Sequence, residues 1–535
     1  MVKLVFILLF LAVAANATGH YAGSRACFGC HAEIYRSYLR TDMGRSMLPA
    51  SDLDRLNVPS TATVTTADGH VVRVGHDTNG WFQSEEQSGV FLDKHPLAYL
   101  VGTGTNGFTF LIQRQGGLFQ APLSYYSKAG KWDLSPGYER EDLGFSRPAT
   151  VECVACHSGR ALPVGGESGV YSNPPFAELT IGCENCHGPS EQHAQNPHPT
   201  GKTINPAKLS PRLAENICMN CHQGGDARVL QPGKTNQDFR PGQWLIETVA
   251  IFRASQAPVD QQKTDLLEHN AAMKLSRCFR ASGGRLSCLT CHDPHVQPPT
   301  QEKVAYFRGK CLTCHTDSSC RLSKDRRAVD DCVGCHMPKR NVPVISHSAL
   351  TNHRIPARAE EPFPPTPQNE TGVTLLNPAE GKSNSISDVI LLRAYAELAG
   401  QRPDYAKPYL DLLDRLVNAQ PRDPFVQAAL GHQLLAQGKI EEALPHLSQA
   451  VSLNELAVYE DLAKALTNLG KDDDAVACLQ RAARAFPFDG VLLKSLILQD
   501  IKTKQYSEAR QEMQRYVDLF PQDSFMRGLL NRVSQ

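Results

Sequence analysis

Fourteen of the seventeen cysteines fall in seven copies of one arrangement, Cys-x-x-Cys-His. The copies are Cys27-Phe-Gly-Cys30-His31, Cys153-Val-Ala-Cys156-His157, Cys183-Glu-Asn-Cys186-His187, Cys218-Met-Asn-Cys221-His222, Cys288-Leu-Thr-Cys291-His292, Cys311-Leu-Thr-Cys314-His315 and Cys332-Val-Gly-Cys335-His336. At this Cys and His content chance supplies about 0.02 copies. Two cysteines three positions apart lie on one side of a helical turn, so both sulfurs reach the two vinyl groups on one edge of a porphyrin. The histidine that follows aims an imidazole nitrogen at the iron as a strong axial ligand. The spacing therefore predicts seven covalently bound haem c groups, with His31, His157, His187, His222, His292, His315 and His336 as proximal ligands. Zinc knuckles pair Cys-x-x-Cys units without an obligatory histidine after each, so the zinc alternative fits poorly.

Of the other cysteines, Cys478 lies on a predicted helix and reads as a small buried thiol. Cys278 and Cys320 flank the fifth and sixth motifs, and a disulfide between them is expected in an oxidising compartment.

The sixth coordination position of each iron separates a wire from an enzyme, because a filled position passes electrons and an open one binds substrate. Twelve histidines lie outside the motifs. His193 follows the third motif and is free to turn onto another haem; His295 follows the fifth in the same way. His269, His347 and His353 stand in short polar surroundings that core packing explains poorly, so they join His193 and His295 as candidate distal ligands. His95 is as readily a ligand as not. Met43, in Thr41-Asp42-Met43-Gly44, divides evenly between thioether ligand and packing side chain. His20, His70, His76 and His198 read as loop or strand residues facing solvent, and His432 and His446 fall on the C-terminal helices.

At 535 residues the chain is long enough for two or three domains. Lys plus Arg equals Asp plus Glu at 55 each, so no global field points to nucleic acid. Met1 to Ala17 combines a short basic start, an apolar run and Ala15-Asn16-Ala17, the pattern of a cleaved signal peptide. The run is too short to span a bilayer, so a periplasmic or secreted chain is expected.

The elements that position the motifs fall into blocks. Residues 18–356 form the haem-bearing domain, with a β-meander insert at 61–132 marked by alternating strings such as His70-Val71-Val72-Arg73-Val74 and turns at Asp68-Gly69, Asn79-Gly80 and Gly116-Gly117. Its short helices and loops lack the composition of an aliphatic core, so the porphyrins are expected to serve as that core. Residues 357–384, with Pro362-Phe363-Pro364-Pro365-Thr366-Pro367, read as an extended linker. From 385 to 535 Ala443, Leu447 and Ala450 recur as Ala475, Leu479 and Ala482, then as Ala509, Met513 and Tyr516. These steps of 32 and 34 residues match the helix-turn-helix period of tetratricopeptide repeats. The expected fold is mainly α: a multihaem cytochrome c domain carrying a small β-meander, followed by an α-α repeat solenoid.

The segments His269 to Cys278, Ser282 to His295, Cys332 to Arg340 and His347 to Ile355 resemble the multihaem cytochromes grouped with cytochrome c-554, cytochrome c nitrite reductase and hydroxylamine oxidoreductase, in particular bacterial members fused to C-terminal tetratricopeptide repeats. The resemblance implies haems in close parallel and perpendicular pairs, with distal histidines at His193, His269, His295, His347 and His353. Two departures stand out. No Cys-x-x-Cys-Lys occurs, the mark of the nitrite reductase active-site haem, and Met43 stands where cytochrome c-554 relatives place a histidine. Met43 thus makes the first haem the candidate for a weakly ligated or open iron. The resulting expectation is an electron-transfer protein whose repeats dock a partner. The redox partner is a protein, free or in a membrane-associated complex. The alternative is an oxidoreductase acting on a small nitrogen or sulfur compound at one open haem.

Overall fold

A computed structural model describes residues 20–67, 69–138, 144–196, 203–254, 268–327, 330–339, 351–358, 361–362, 372–381 and 386–533. The N-terminal 17 residues, His198 and His347 lie outside them.

The β-rich region is larger than one meander. Strands β2 (Ala62–Thr65), β3 (His70–Asp77), β4 (Gly80–Gln87) and β5 (Val90–Pro96) form an antiparallel sheet in sequence order. A second sheet takes β1 (Met47–Pro49), β6 (Tyr99–Val101), β7 (Thr109–Arg114) and β8 (Gly117–Gln120), and β9 (Leu123–Tyr126) pairs with β10 (Lys131–Leu134) as a hairpin. Alternation turns Val72, Val74 and Trp81 inward. Two polar positions follow them in, each with a partner. Gln83 donates to the Leu123 carbonyl at 2.9 Å and accepts from the Leu123 N–H at 2.8 Å, clamping the hairpin to the sheet. His70, read from sequence as facing solvent, is buried and bonded to Glu85. An alternating pattern shows which face a residue takes in one sheet, but not that a second layer covers the other.

Beyond this unit, β11 (Arg160–Pro163) pairs with β12 (Tyr171–Glu178). A three-stranded sheet joins β13 (Ala227–Leu230), β14 (Val249–Ala254) and β15 (Val373–Leu375). Strand β15 falls inside the stretch read as linker. Three β-branched and apolar residues amid Pro and Asn carry too little periodicity to mark a strand; it forms because the edge of β14 is there to pair with.

The C-terminal region is helical. Helices begin at Asp388, Pro424, Leu456, Gly490 and Ser524, each but the last followed by an antiparallel second helix, at Ala406–Ala419, Ile440–Ala450, Asp472–Ala485 and Tyr506–Leu519. Asp423 caps the Pro424–Ala436 helix through the Phe425 and Val426 N–H groups, and Asp489 caps Gly490–Lys502 through Leu492. Ala443, Ala475 and Ala509 are buried where paired helices approach, and Gly431 faces Leu447 so closely that a Cβ would stand 2.7 Å from its side chain.

Both ends of this helical arc are fastened to the rest of the chain. The first pair packs Ile390, Leu392, Tyr395 and Leu413 against Ala227, Phe252 and Val373 of the three-stranded sheet, and Glu397 accepts the Arg228 N–H at 3.0 Å. The last helices share one core with the β unit, in which Leu493, Ile497 and Met513 join Phe110, Ile112 and Phe119. Arg114 donates to the Leu519 carbonyl at 2.8 Å and the Ser168 N–H to the Ala485 carbonyl at 2.7 Å.

Candidate functional site

Each motif sits on a short helical turn. The His N–H bonds the first cysteine's carbonyl in His31 (2.9 Å), His187 (3.0 Å), His292 (2.9 Å) and His315 (2.9 Å), the closure that brings both sulfurs and the imidazole to one side. The motifs at Cys218 and Cys311 end longer helices, Pro211–His222 and Lys303–Leu312.

Imidazoles then face one another in pairs. His31 and His193 stand with ring centroids 6.4 Å apart and planes within 23°, His187 and His295 at 6.0 Å and 20°, His292 and His353 at 6.3 Å and 30°. One metal held between two imidazoles separates their centroids by about 6 Å, from metal–nitrogen bonds near 2 Å and the ring radius on each side. His269 lies 5.5 Å from His222 and 4.5 Å from His353, both edge to face.

The ring nitrogens are prepared for ligation. Nδ1–H of His187 donates to the Ile204 carbonyl at 2.6 Å, that of His336 to Pro356 at 2.8 Å and that of His353 to Thr351 at 2.9 Å, leaving Nε2 with its lone pair. Burial pushes His187, His222, His292 and His353 below the ordinary imidazole value, and burial with the neighbouring His353, His222 and His292 takes His269 down to about 3. All are neutral, the form that binds metal.

Thiols of different motifs touch. Cys27 stands beside Cys183, Cys156 beside Cys221, Cys218 beside Cys288 and Cys311 beside Cys332. Motif one therefore meets three, two meets four, four meets five and six meets seven. Around the first junction Glu184, inside the third motif and buried, accepts the N–H groups of Ala22 (2.9 Å), Gly23 (2.7 Å) and Ser190 (2.7 Å). Ser24 accepts the Cys183 N–H at 2.7 Å, and Glu178, its carboxyl raised by burial, accepts the Ser24 N–H at 3.2 Å. Nothing in the sequence marks Glu184 or Ser24 for this work, because the two middle positions of the motif carry no fixed chemistry. The first motif is consequently not isolated.

Several expectations change. His95 bonds Asp93 through Nε2 at 2.7 Å, lies 3.4 Å from Arg114 and packs on Phe145, all outside the motifs, so it serves the β unit. Met43 lies half-buried in a 3-10 turn whose carbonyl accepts from Thr180 Oγ1 at 3.1 Å, and the place opposite His31 belongs to His193. The ring that faces His31 is thus an imidazole and not the Met43 thioether. Cys278 and Cys320 are free thiols with no bond between them, Cys278 lying instead in the field of Cys314. Cys478 is half-buried on its helix.

The residues fit haem. Among the described residues no group of three or more His, Cys, Asp or Glu forms a metal site by itself. The facing imidazoles are the residues that would hold a haem iron, with the rest of its ligands left to a macrocycle. From Cys288 to Lys339, across three motifs, no described residue is buried, so this stretch has no core of its own until apolar planes fill it. The attachment cysteines here, Cys288, Cys291, Cys311, Cys314, Cys332 and Cys335, are half-buried or exposed around that space. Among the described residues no helix is long and apolar enough to cross a membrane.

Residues 138–188, which include the second and third motifs, match the family model for cytochrome c554 and c-prime, and residues 434–499 match that for the tetratricopeptide repeat. No curated protein matches the chain. Among solved structures, MamA (41-end) from Desulfovibrio magneticus RS-1 is 19% identical, with 28% of this chain and 84% of that one covered and a TM-score of 0.24. YrrB, described as a TPR protein with an unusual peptide-binding site, is 18% identical over 26% of this chain and 74% of that one, with a TM-score of 0.22. A segment of cytochrome c554 type implies haem c, and the chain thus joins a cytochrome c segment to a C-terminal repeat region of the kind that binds proteins.

Proposed function

We propose that this chain is an exported heptahaem c-type cytochrome that relays electrons, with a repeat region that docks a partner protein. The facing imidazole pairs at 6.0 to 6.4 Å carry the reading, since irons closed on both sides pass electrons and bind nothing else. Bound haem c supplies a one-electron iron couple. The protein's part is to anchor, orient and space: cysteines fix each porphyrin edge, carbonyls lock the imidazoles of His187, His336 and His353, and the thiol contacts bring motif three against one, and four against both two and five. Motif four thus stands between two and five in this order. On the last repeats Val491, Leu498 and Phe525 are exposed, apolar area suited to a protein contact.

The second reading, an oxidoreductase with one open iron, draws on His315. It is exposed, and among the described residues no second imidazole stands against it. EPR of the oxidised protein separates the two. Low-spin signals alone, unchanged by nitrite, hydroxylamine or cyanide, support the relay; a stoichiometric high-spin signal that shifts with any of them overturns it in favour of the enzyme. Export is tested by N-terminal sequencing, which should begin at Thr18.

A further inference from the structure

The chain is neutral overall, yet its charge is not evenly spread. Between residues 277 and 340 there are twelve Lys and Arg against six Asp and Glu, so the remainder of the chain carries the opposite surplus. The part of the 277–340 stretch from Cys288 to Lys339 has no buried side chain among the described residues and holds the last three motifs, with Cys314, His315 and Cys335 exposed. Arg308 spends its charge on Asp317 and Asp330, and Arg277 reaches Glu361 at 3.5 Å. Arg280, Arg321 and Arg326 are exposed and, among the described residues, meet no carboxylate.

The geometry points to this lobe as the docking surface for an acidic one-electron carrier protein, which exchanges electrons with the haems at motifs six and seven. The inference rests on the relay reading and names where the relay meets its partner. Each ferric haem with two neutral axial ligands adds about one negative charge, two propionates against one positive core, so three haems lower the surplus of six to about three without reversing it. A net positive charge on the stretch that carries exposed attachment sites raises the encounter rate of an acidic partner and repels a basic one, an effect that salt removes. The step itself is balanced: one electron leaves the carrier's metal centre, one ferric iron becomes ferrous, and no bond forms or breaks.

The test is stopped-flow reduction of the full-length, haem-loaded protein by a reduced acidic ferredoxin, compared with a basic single-haem cytochrome c. The ferredoxin rate should fall on the order of tenfold between about 20 and 300 mM salt. The triple variant Arg280→Glu, Arg321→Glu, Arg326→Glu should lose a similar factor at low salt and gain rate with the basic carrier, with its haem spectrum unchanged. A salt-independent ferredoxin rate, or a variant as fast as the parent, overturns the docking site. If dithionite also leaves some haems oxidised, the relay reading itself has failed; if dithionite reduces all of them, only the docking surface has.

Discussion

The ring of Phe119, on β8, meets the ring of Phe488 edge to face with centroids 4.8 Å apart. One residue belongs to the unit between the first and second motifs, the other to the turn before the Gly490–Lys502 helix, and Gly117 makes room for the contact, since a Cβ there would stand 2.6 Å from Phe488. The contact ties the end of the repeat arc to the β unit. Phe488→Ala should therefore cost about 3 kcal/mol, a core value, rather than the few tenths of an exposed loop. Urea unfolding followed by tryptophan fluorescence in a Trp244→Phe background, where Trp81 and Trp132 report the β unit, measures it. A loss confined to helical signal, with the tryptophan transition unmoved, would mean the two units are independent.

Glu184 gathers three backbone N–H groups from two segments. Glu184→Ala strands those donors and should destabilise by about 2–3 kcal/mol, while Glu184→Gln, which keeps one acceptor, should cost less. Melting followed at the Soret band, with limited proteolysis near Ala22, reads the order of the two variants. Equal stability of the parent and Glu184→Ala would remove the anchoring role.

Removing a distal imidazole should open one iron and no other. His193→Ala is expected to convert one haem in seven to high spin, and added imidazole to reverse it; His295→Ala should do the same at the iron of His187. His95→Ala should leave the visible spectrum unchanged, because its ring serves Asp93 and Phe145. A high-spin band in His95→Ala, or none in His193→Ala, contradicts the assignment.

Asp500 is buried, and among the described residues neither carboxylate oxygen has a hydrogen-bond partner. Burial first, then Glu512 and Glu508, raises it to about 6. A folded value above the unfolded one means the native state holds the extra proton between about pH 4 and 6, so stability falls as pH rises through that window and stays lower above it. Asp500→Asn should abolish that slope and add roughly 1–2 kcal/mol at pH 7, discounted for solvent relaxation around the carboxylate. Thermal melts of both proteins from pH 4 to 8 decide the matter; parallel curves would contradict it.

The helical turns of the Cys-x-x-Cys-His motifs were legible because the motif fixes residue types at a spacing that fits one turn. Repeat helices were legible for a similar reason, with Ala443, Ala475 and Ala509 recurring where helices touch. Ligand pairing was only half legible: His193 reads as a ligand, but that it faces His31 depends on Glu184 and Ser24 folding the first motif onto the third, a long-range contact without local pattern. His95 and Met43 show the limit from the other side, since a side chain able to ligate is also able to bond Asp93 or to pack. The second β layer and the fastening of the repeats escaped because Phe119 and Phe488, 369 positions apart in the chain, look like ordinary core residues in their own segments.

The central claim is a chain loaded with seven haems, and the direct measurement is the haem-to-protein ratio by pyridine haemochrome, paired with the intact mass of the purified protein. Seven haems per chain are expected, all retained under denaturing conditions because the thioether bonds are covalent. A ratio below seven, or haem lost on denaturation, would contradict it.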